Sequence, residues 1–369
     1  MVTGKENGLF STVRIGTMEL KTRLVRSATA ERMASEPVGR ATPRLEGLYS
    51  ELARGGVGLI VTGHAFITPE GKTHPEMLGV HCDELIPGLR LLADAAHANG
   101  GRIALQINHG GRQADREAVP VPLAPSPLSS PGGRTPREMS PAEIAATVDA
   151  FGQAACRAKV AGMDAVQIHA AHGYLISQFL SPNTNRRIDD WGGDFDRRLH
   201  FLAAVCEEVR GQVGPDYPVF IKLGMVDNLE QIPGGLSPED GTRIVGRLAD
   251  LGLDAVEISG AHGGGADFNI LKGIKAGDTE AYFRPLARRA KATTQLPVIL
   301  VGGLRSRSVM DDVLASGDAD LISLCRPLIR EPDLPNRLQR GETAVAACIS
   351  GGRCWAKGLD EGIRCRCES

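Results

Sequence analysis

Short apolar runs alternate with amphipathic stretches along most of the chain. Residues 24–28 form the first run, and a helical pattern follows over 44–54. The run at 57–61 precedes a helical pattern over 84–99. The run at 102–107 comes third, and its helix arrives only after a long loop. Residues 165–168, 219–223 and 255–258 supply the next three runs, with helical patterns over 195–213, from 238 onward and over 281–293. The last two runs, 298–301 and 321–324, precede helical patterns over 306–315 and 332–340. Periods near 3.6 mark the helices, and continuous apolar runs of this length mark strands covered on both faces. Eight strand–helix units predict a (β/α)8 TIM barrel rather than an open doubly wound sheet. A dinucleotide-binding sheet would need a glycine fingerprint after its first strand, and residues 24–31 carry none.

Local signals sharpen this outline. Ser140-Pro141-Ala142-Glu143 reads as a capping box with proline at the first helical position, and Ser237-Pro238-Glu239-Asp240 opens a helix in the same way. Residues 8–20 read as a hairpin that plugs or covers the barrel. The segment 108–139 is rich in Pro, Gly and Arg, and it would fold over the C-terminal face. The barrel is expected over 1–345, with a cysteine-containing tail over 346–369.

Composition narrows the function classes. The chain has 369 residues, 42% hydrophobic and 23% charged, with a net charge of −2. That is an ordinary globular balance, and it gives no footprint for nucleic acid or a membrane surface. No apolar run reaches the roughly 18–20 residues of a membrane helix. The N-terminus has no apolar signal region, so a cytoplasmic protein is expected. The 45 glycines suit many short strand–helix turns.

In a barrel, chemistry gathers where the strands end. Those ends carry Arg26-Ser27-Ala28-Thr29-Ala30, Gly63-His64, Gln106, His169, His172, Lys222, Ser259 through His262, Gly302-Gly303-Leu304 and Cys325-Arg326. His169, His172 and Tyr174 crowd polar groups directly after an apolar strand, which points to a ligand. Lys222 ends an apolar strand, so it needs an anion or a strong acceptor, with Glu257 as one candidate partner. Glycines on the seventh strand, with Cys325-Arg326 on the eighth, suit a phosphate cradle. Gln106 offers a donor and an acceptor to a heterocycle edge. The set describes a phosphorylated ring cofactor with a substrate above it.

The stretch HAAHGYLISQFLSPNTNRRIDDWGG at 169–193 resembles the most characteristic motif of the old yellow enzyme family of FMN-dependent oxidoreductases. TRLVRSAT, QINHGGRQA, FIKLG, VILVGGLRS and CRPLIREPDLP extend the resemblance over nearly the whole chain. Several of these are most similar to the barrel domain of 2,4-dienoyl-CoA reductases and their one-domain bacterial relatives. The resemblance implies FMN across the barrel mouth and NADPH or NADH as reductant. The backbone of Ser27, Ala28, Thr29 and Ala30, and of Gly63 or His64, would approach the flavin ring. Gln106 would pair with its pyrimidine edge and Lys222 would stand near its N1 and O2. Gly302, Gly303, Leu304, Cys325 and Arg326 would take the phosphate. His169 and His172 would bind the oxygen of an activated alkene, and Tyr174 would deliver a proton. The implied reaction is ene reduction; N-demethylation, dienoyl-CoA-type reduction and a non-catalytic flavin-binding role stand as alternatives. Members of the family are often homo-oligomers, dimers or tetramers. Three departures stand out: Ala30 occupies a position where many relatives carry Cys or Thr, which implies a changed flavin potential; Lys222 stands where Arg is common, with the charge kept; and Arg32 replaces the substrate-contacting aromatic of some relatives, which makes it a substrate-binding residue that suits a wider pocket or an anionic substrate.

The tail holds Cys348, Cys354, Cys365 and Cys367, spaced C-x5-C-x10-C-x-C. Such thiols suit zinc, an iron–sulfur cluster, a disulfide or no bond at all. The resemblance places Gly351 where a cluster ligand would be expected, so the reading here is no metal.

Overall fold

The computed structural model describes residues 8–129, 134–227, 234–260, 271–355 and 362–367. The chain enters through an antiparallel hairpin of β1 (Val13–Ile15) and β2 (Met18–Leu20). The turn is possible because Gly16 takes a positive φ of 54°. Strand β3 (Leu24–Arg26) starts the barrel, and helix α1 (Pro43–Arg54) follows, its N-terminus capped by Thr42. Next come β4 (Leu59–Val61), a short β5 (Ala65–Phe66), α2 (Ile86–His97) and β6 (Arg102–Asn108).

The long loop after β6 carries a two-residue parallel pair, β7 (Leu123–Ala124) and β8 (Arg137–Glu138). Helix α3 (Pro141–Val160) then opens on the expected capping box, with Ser140 and Glu143 bonded reciprocally. Strand β9 (Ala165–Ala170) leads into a six-residue helix α4 (Leu175–Leu180) and then α5 (Phe195–Val213). The remaining units are β10 (Val219–Gly224) with α6 (Pro238–Arg247), and β11 (Ala255–Ser259) with α7 (Arg284–Lys291). After them come β12 (Val298–Leu300) with α8 (Arg307–Ala315), and β13 (Leu321–Leu324) with α9 (Arg326–Arg330) and α10 (Leu334–Arg340).

Eight of these strands run parallel in the order β4-β3-β13-β12-β11-β10-β9-β6, and pairing of β4 with β6 closes the ring. The expected (β/α)8 barrel is therefore present, with each predicted strand in its predicted place. Closure removes every free edge among the barrel strands. No helix among the described residues is long and apolar enough to cross a membrane.

Alternate residues of each strand face the barrel interior. At the entry end these are Val25, Leu59, Ala104, Ala165, Phe220, Ala255, Ile299 and Leu321. Ile15, Met18 and Leu20 of the hairpin complete this cluster, so the hairpin is a plug, as its sequence suggested. The plug closes the N-terminal mouth and leaves the opposite mouth for chemistry.

Two differences from the sequence expectation concern that mouth. Helices α4 and α9 were not foreseen, because each is too short to show a period. Helix α4 is nonetheless buried throughout. Its Gln178 donates to the carbonyls of Gly110 (3.2 Å) and Gly173 (2.6 Å) and accepts from the Arg112 N–H (3.1 Å). One amide thus ties the loop after β6 to the loop that carries His172 and Tyr174. Removing it strands two carbonyls and an N–H away from water. Gln178→Ala should therefore lower unfolding free energy by about 2–3 kcal/mol in urea titrations, with little change in the denaturant slope.

Candidate active site

Two residues beyond the apolar plug, the barrel interior becomes polar. Ser27, Gln106, Gln167, Lys222, Glu257 and Ser323 occupy this level, and all are buried. Glu257 is its centre. Its carboxylate accepts from Ser27 Oγ (2.7 Å), Ser323 Oγ (2.9 Å) and Gln167 Nε2 (2.8 Å), and Lys222 Nζ lies 3.1 Å away. Lys222 Nζ also donates to Ser27 Oγ at 2.7 Å. Gln106 Nε2 donates to Gln167 Oε1 at 2.6 Å, which holds the Gln106 amide in one orientation. Burial alone would raise the Glu257 pKa, but Lys222 and the three hydrogen bonds outweigh it and hold the carboxyl below its ordinary range. The acceptor expected for Lys222 is therefore Glu257, and Lys222 still reaches the cavity above.

That cavity has a volume of about 480 Å³. Its wall contains Ser27, Ala28, Thr29, Ala30, Arg32, His64, Gln106, His169, His172, Tyr174, Lys222, Gly303, Leu304, Cys325 and Arg326. Of the predicted site residues, Gly63 and Gly302 stand just behind it. The Gly63 N–H donates to Glu31 Oε1 at 3.1 Å, and a Cβ there would lie 1.9 Å from Glu31 Oε2. The Gly302 carbonyl accepts from the Tyr282 N–H. Ser259 also lines the cavity, whereas Ala261 and His262 fall outside the described residues.

The site contains groups that the sequence did not single out. Gln167 and Ser323 carried a legible signal: each is a polar residue at an alternate position of an otherwise apolar strand. His74, Thr73, Gln113 and Trp355 carried none, because they reach the wall from loops and from the tail. The Trp355 indole donates to the Ala30 carbonyl at 2.9 Å, and Arg326 donates to the Ser350 carbonyl at 3.1 Å.

Four rings cluster at one side of the cavity. The ring centre of His169 lies 5.0 Å from His172, 4.9 Å from Tyr174 and 6.0 Å from His64. Tyr174 and His64 are 5.1 Å apart. His169 Nδ1 accepts from the Ala171 N–H, so the neutral ring carries its proton on Nε2. His172 Nε2 shares a hydrogen bond with Ser259 Oγ at 2.9 Å, and a hydroxyl that donates there leaves Nδ1–H as a donor. Burial lowers the His169 pKa far below its usual value, and His172, His64 and Lys222 add to this. Burial, with Lys222 and His64, lowers that of His172 to about 3. Burial raises the Tyr174 phenol to about 12, although the charge of Arg32 and a hydrogen bond with Thr73 pull the other way. At neutral pH the cluster therefore presents neutral imidazoles beside a protonated phenol.

These features fit a flat phosphorylated ring. The N–H groups of Gly303 and Leu304 donate to no described residue, and both residues line the wall where a phosphate would lie. Lys222 and the fixed Gln106 amide supply a cation and an oriented amide at the floor. Such a barrel defines a flavin mononucleotide oxidoreductase site.

The comparisons agree. The model of the NADH:flavin oxidoreductase / NADH oxidase family matches residues 8–344. The NADPH dehydrogenase of Bacillus subtilis is 34% identical over 88% of this chain and 92% of its own length. The NADH oxidase of Thermoanaerobacter brockii is 34% identical over 97% of this chain, which spans only 55% of that relative's length. The structure of morphinone reductase superposes with a TM-score of 0.78 at 27% identity, covering 93% of this chain and 92% of its own. The chain belongs to the NADH:flavin oxidoreductase / NADH oxidase family, the old yellow enzymes, whose cofactor is FMN and whose reductant is NAD(P)H.

All eight cysteines of the chain, the four of the tail included, are free thiols. Among the described residues no group of three or more His, Cys, Asp or Glu side chains is placed to hold a metal. A Cβ on Gly351 would lie 2.7 Å from Cys367 Sγ, so that thiol occupies the space where a side chain at 351 would stand. Burial raises the thiol pKa of Cys348, and that of Cys354 to about 12.

The Glu257 network is testable by stability. Glu257→Ala leaves the Lys222 ammonium buried without its anion, and should cost about 3–5 kcal/mol in chemical denaturation. Because the carboxyl pKa is lowered on folding, its contribution is present at neutral pH. It is lost as the pH falls below the ordinary carboxylate range and through the lowered value. Glu257→Gln should therefore show a shallower loss of stability on acidification than the parent protein.

Proposed function

We propose that this protein is an ene-reductase: it reduces the carbon–carbon double bond of α,β-unsaturated carbonyl or nitro compounds at the expense of NAD(P)H. The observation that carries this reading is the set of neutral His169 and His172 beside protonated Tyr174, on one wall of the cavity whose floor is Lys222 and Gln106. Bound FMN supplies a two-electron hydride carrier between the nicotinamide and the alkene.

The protein's own residues do the rest. Ser27 through Ala30 and the Gly303–Leu304 backbone hold the ring and phosphate ends of the cofactor. Lys222 faces the pyrimidine edge and stabilises negative charge there. His169 Nε2–H and a His172 N–H bind the substrate oxygen. Hydride arriving at the β-carbon shifts charge to that oxygen, so both bonds strengthen in the transition state. Each such donor contributes about 2–4 kcal/mol. Tyr174 holds its proton until the α-carbon becomes basic and then donates it. The overall balance is NAD(P)H, one proton and the alkene giving NAD(P)⁺ and the saturated compound.

Anaerobic mixing tests this directly. The yellow holoprotein should bleach with NADPH, and cyclohexenone should restore its colour. Tyr174→Phe should bleach at a normal rate but be reoxidised about 10²–10⁴-fold more slowly. A protein that bleaches and ignores every activated alkene would overturn the proposal.

The pKa shifts set a second expectation. The imidazoles are already neutral well below pH 5 and the phenol is still protonated above pH 9. The reoxidation rate with an enone should therefore be flat from about pH 5 to about pH 9 in stopped-flow measurements.

A further inference from the structure

Arg32 and His74 stand in the same cavity wall as His64. Neither is satisfied by the protein. His74 is only 7% exposed, yet both of its ring nitrogens lack a hydrogen-bond partner. Arg32 makes no hydrogen bond with a described residue. Its one ionic partner is Glu76 Oε2 at 4.0 Å, and the same oxygen lies 3.6 Å from His74 Nδ1. That oxygen is itself buried without a hydrogen bond. One carboxylate at these distances leaves the five N–H donors of a guanidinium largely unused. The backbone of Arg32 adds a further sign. Its φ is 53°, a left-handed conformation that side-chain-bearing residues rarely adopt, and it turns the chain where the side chain meets the cavity.

The unused guanidinium donors of Arg32 therefore border the cavity, with the buried ring of His74 in the same wall. From them we infer that the substrate carries a carboxylate, bound by the Arg32 guanidinium. His169 and His64 ring centres are 6.0 Å apart, and His64 and His74 are 5.8 Å apart, so Arg32 shares its wall with the ring cluster. The carboxylate is a second polar group, distinct from the oxygen that His169 and His172 hold, and a chain on the β-carbon is the attachment tested below. Planar guanidinium and carboxylate groups match in two parallel hydrogen bonds, so Arg32 also fixes the direction in which the alkene enters. His74 is held neutral, chiefly by burial and then by His64, Arg32 and Lys72, so it adds no second charge beside the guanidinium.

This inference rests on the ene-reductase reading, and the test separates the two. The probes are a straight-chain enone with a propionate on its β-carbon and the methyl ester of the same molecule. With the holoenzyme, kcat/KM for the acid should exceed that for the ester by about tenfold or more, and the difference should lie in KM. Arg32→Gln should bring the two values together, and Arg32→Lys should retain part of the preference. The saturated acid and its ester should show the same ratio of dissociation constants when titrated into the oxidised holoenzyme and followed by flavin absorbance. That binding readout needs no turnover. If neither enone is reduced but the acid still binds preferentially through Arg32, the ene-reductase reading fails and the carboxylate subsite stands. Equal affinity for acid and ester in the parent enzyme, or an equal loss for both in Arg32→Gln, overturns the subsite.

Discussion

The structure depends on a buried ion pair inside the barrel. Removing Lys222 and Glu257 from water costs several kcal/mol per ion, and attraction recovers this only where the geometry is good and the remaining lone pairs are satisfied. Here they are. Ser27, Ser323 and Gln167 complete the carboxylate, and Ser27 also accepts from the ammonium. A level of apolar side chains would fill the same barrel at no electrostatic cost, as the level below it does. The charged level therefore serves something other than packing. It fixes a cation and, through Gln167, an amide at a cavity floor that apolar side chains would otherwise form.

The same shortage of water explains the groups above. Burial penalises charge in either direction, so it lowers histidine pKa values and raises that of tyrosine. His169, His172 and Tyr174 share one environment and are pushed toward their neutral, proton-bearing forms together. Lys222 reinforces this for both histidines. The pair at the floor is thus felt in the ring cluster, although it makes no hydrogen bond to it. In the proposed reaction, donor strength toward a developing oxyanion would come from this arrangement and not from a formal positive charge on the imidazoles.

Much of this was legible in the sequence, for physical reasons that also explain the rest. The barrel was readable because each strand is a continuous apolar run and each long helix carries a period. The His169–Tyr174 cluster was readable because three polar groups directly follow a buried strand. Glu257 was readable as a partner for the buried Lys222, whereas Gln167 and Ser323 needed one more step, which is to treat a lone polar residue in an apolar strand as inward-facing. Residues that reach the site from a distance in sequence left no such trace. His74 and Thr73 lie in a loop after β5, and Gln178 sits on a helix of under two turns. Their roles follow from where the loops return, which local pattern does not encode.

The tail shows the same point from the other side. Its cysteine spacing drew attention to metal chemistry, yet its contacts lead to the cavity. Trp355 donates to the carbonyl of Ala30, and the Ser350 carbonyl accepts from Arg326. The Ile363 N–H donates to the carbonyl of Glu31. These bonds reach the ends of β3 and β13, neighbouring strands whose ends line the cavity. Cys348 and Cys354 are buried thiols with raised pKa values, and so are poor nucleophiles that pack as small apolar groups. Ala30 offers only a methyl group to the cavity, and Trp355 brings an aromatic edge to the same stretch of backbone. Part of the wall that a larger residue at position 30 would form is thus supplied by a segment more than three hundred residues away.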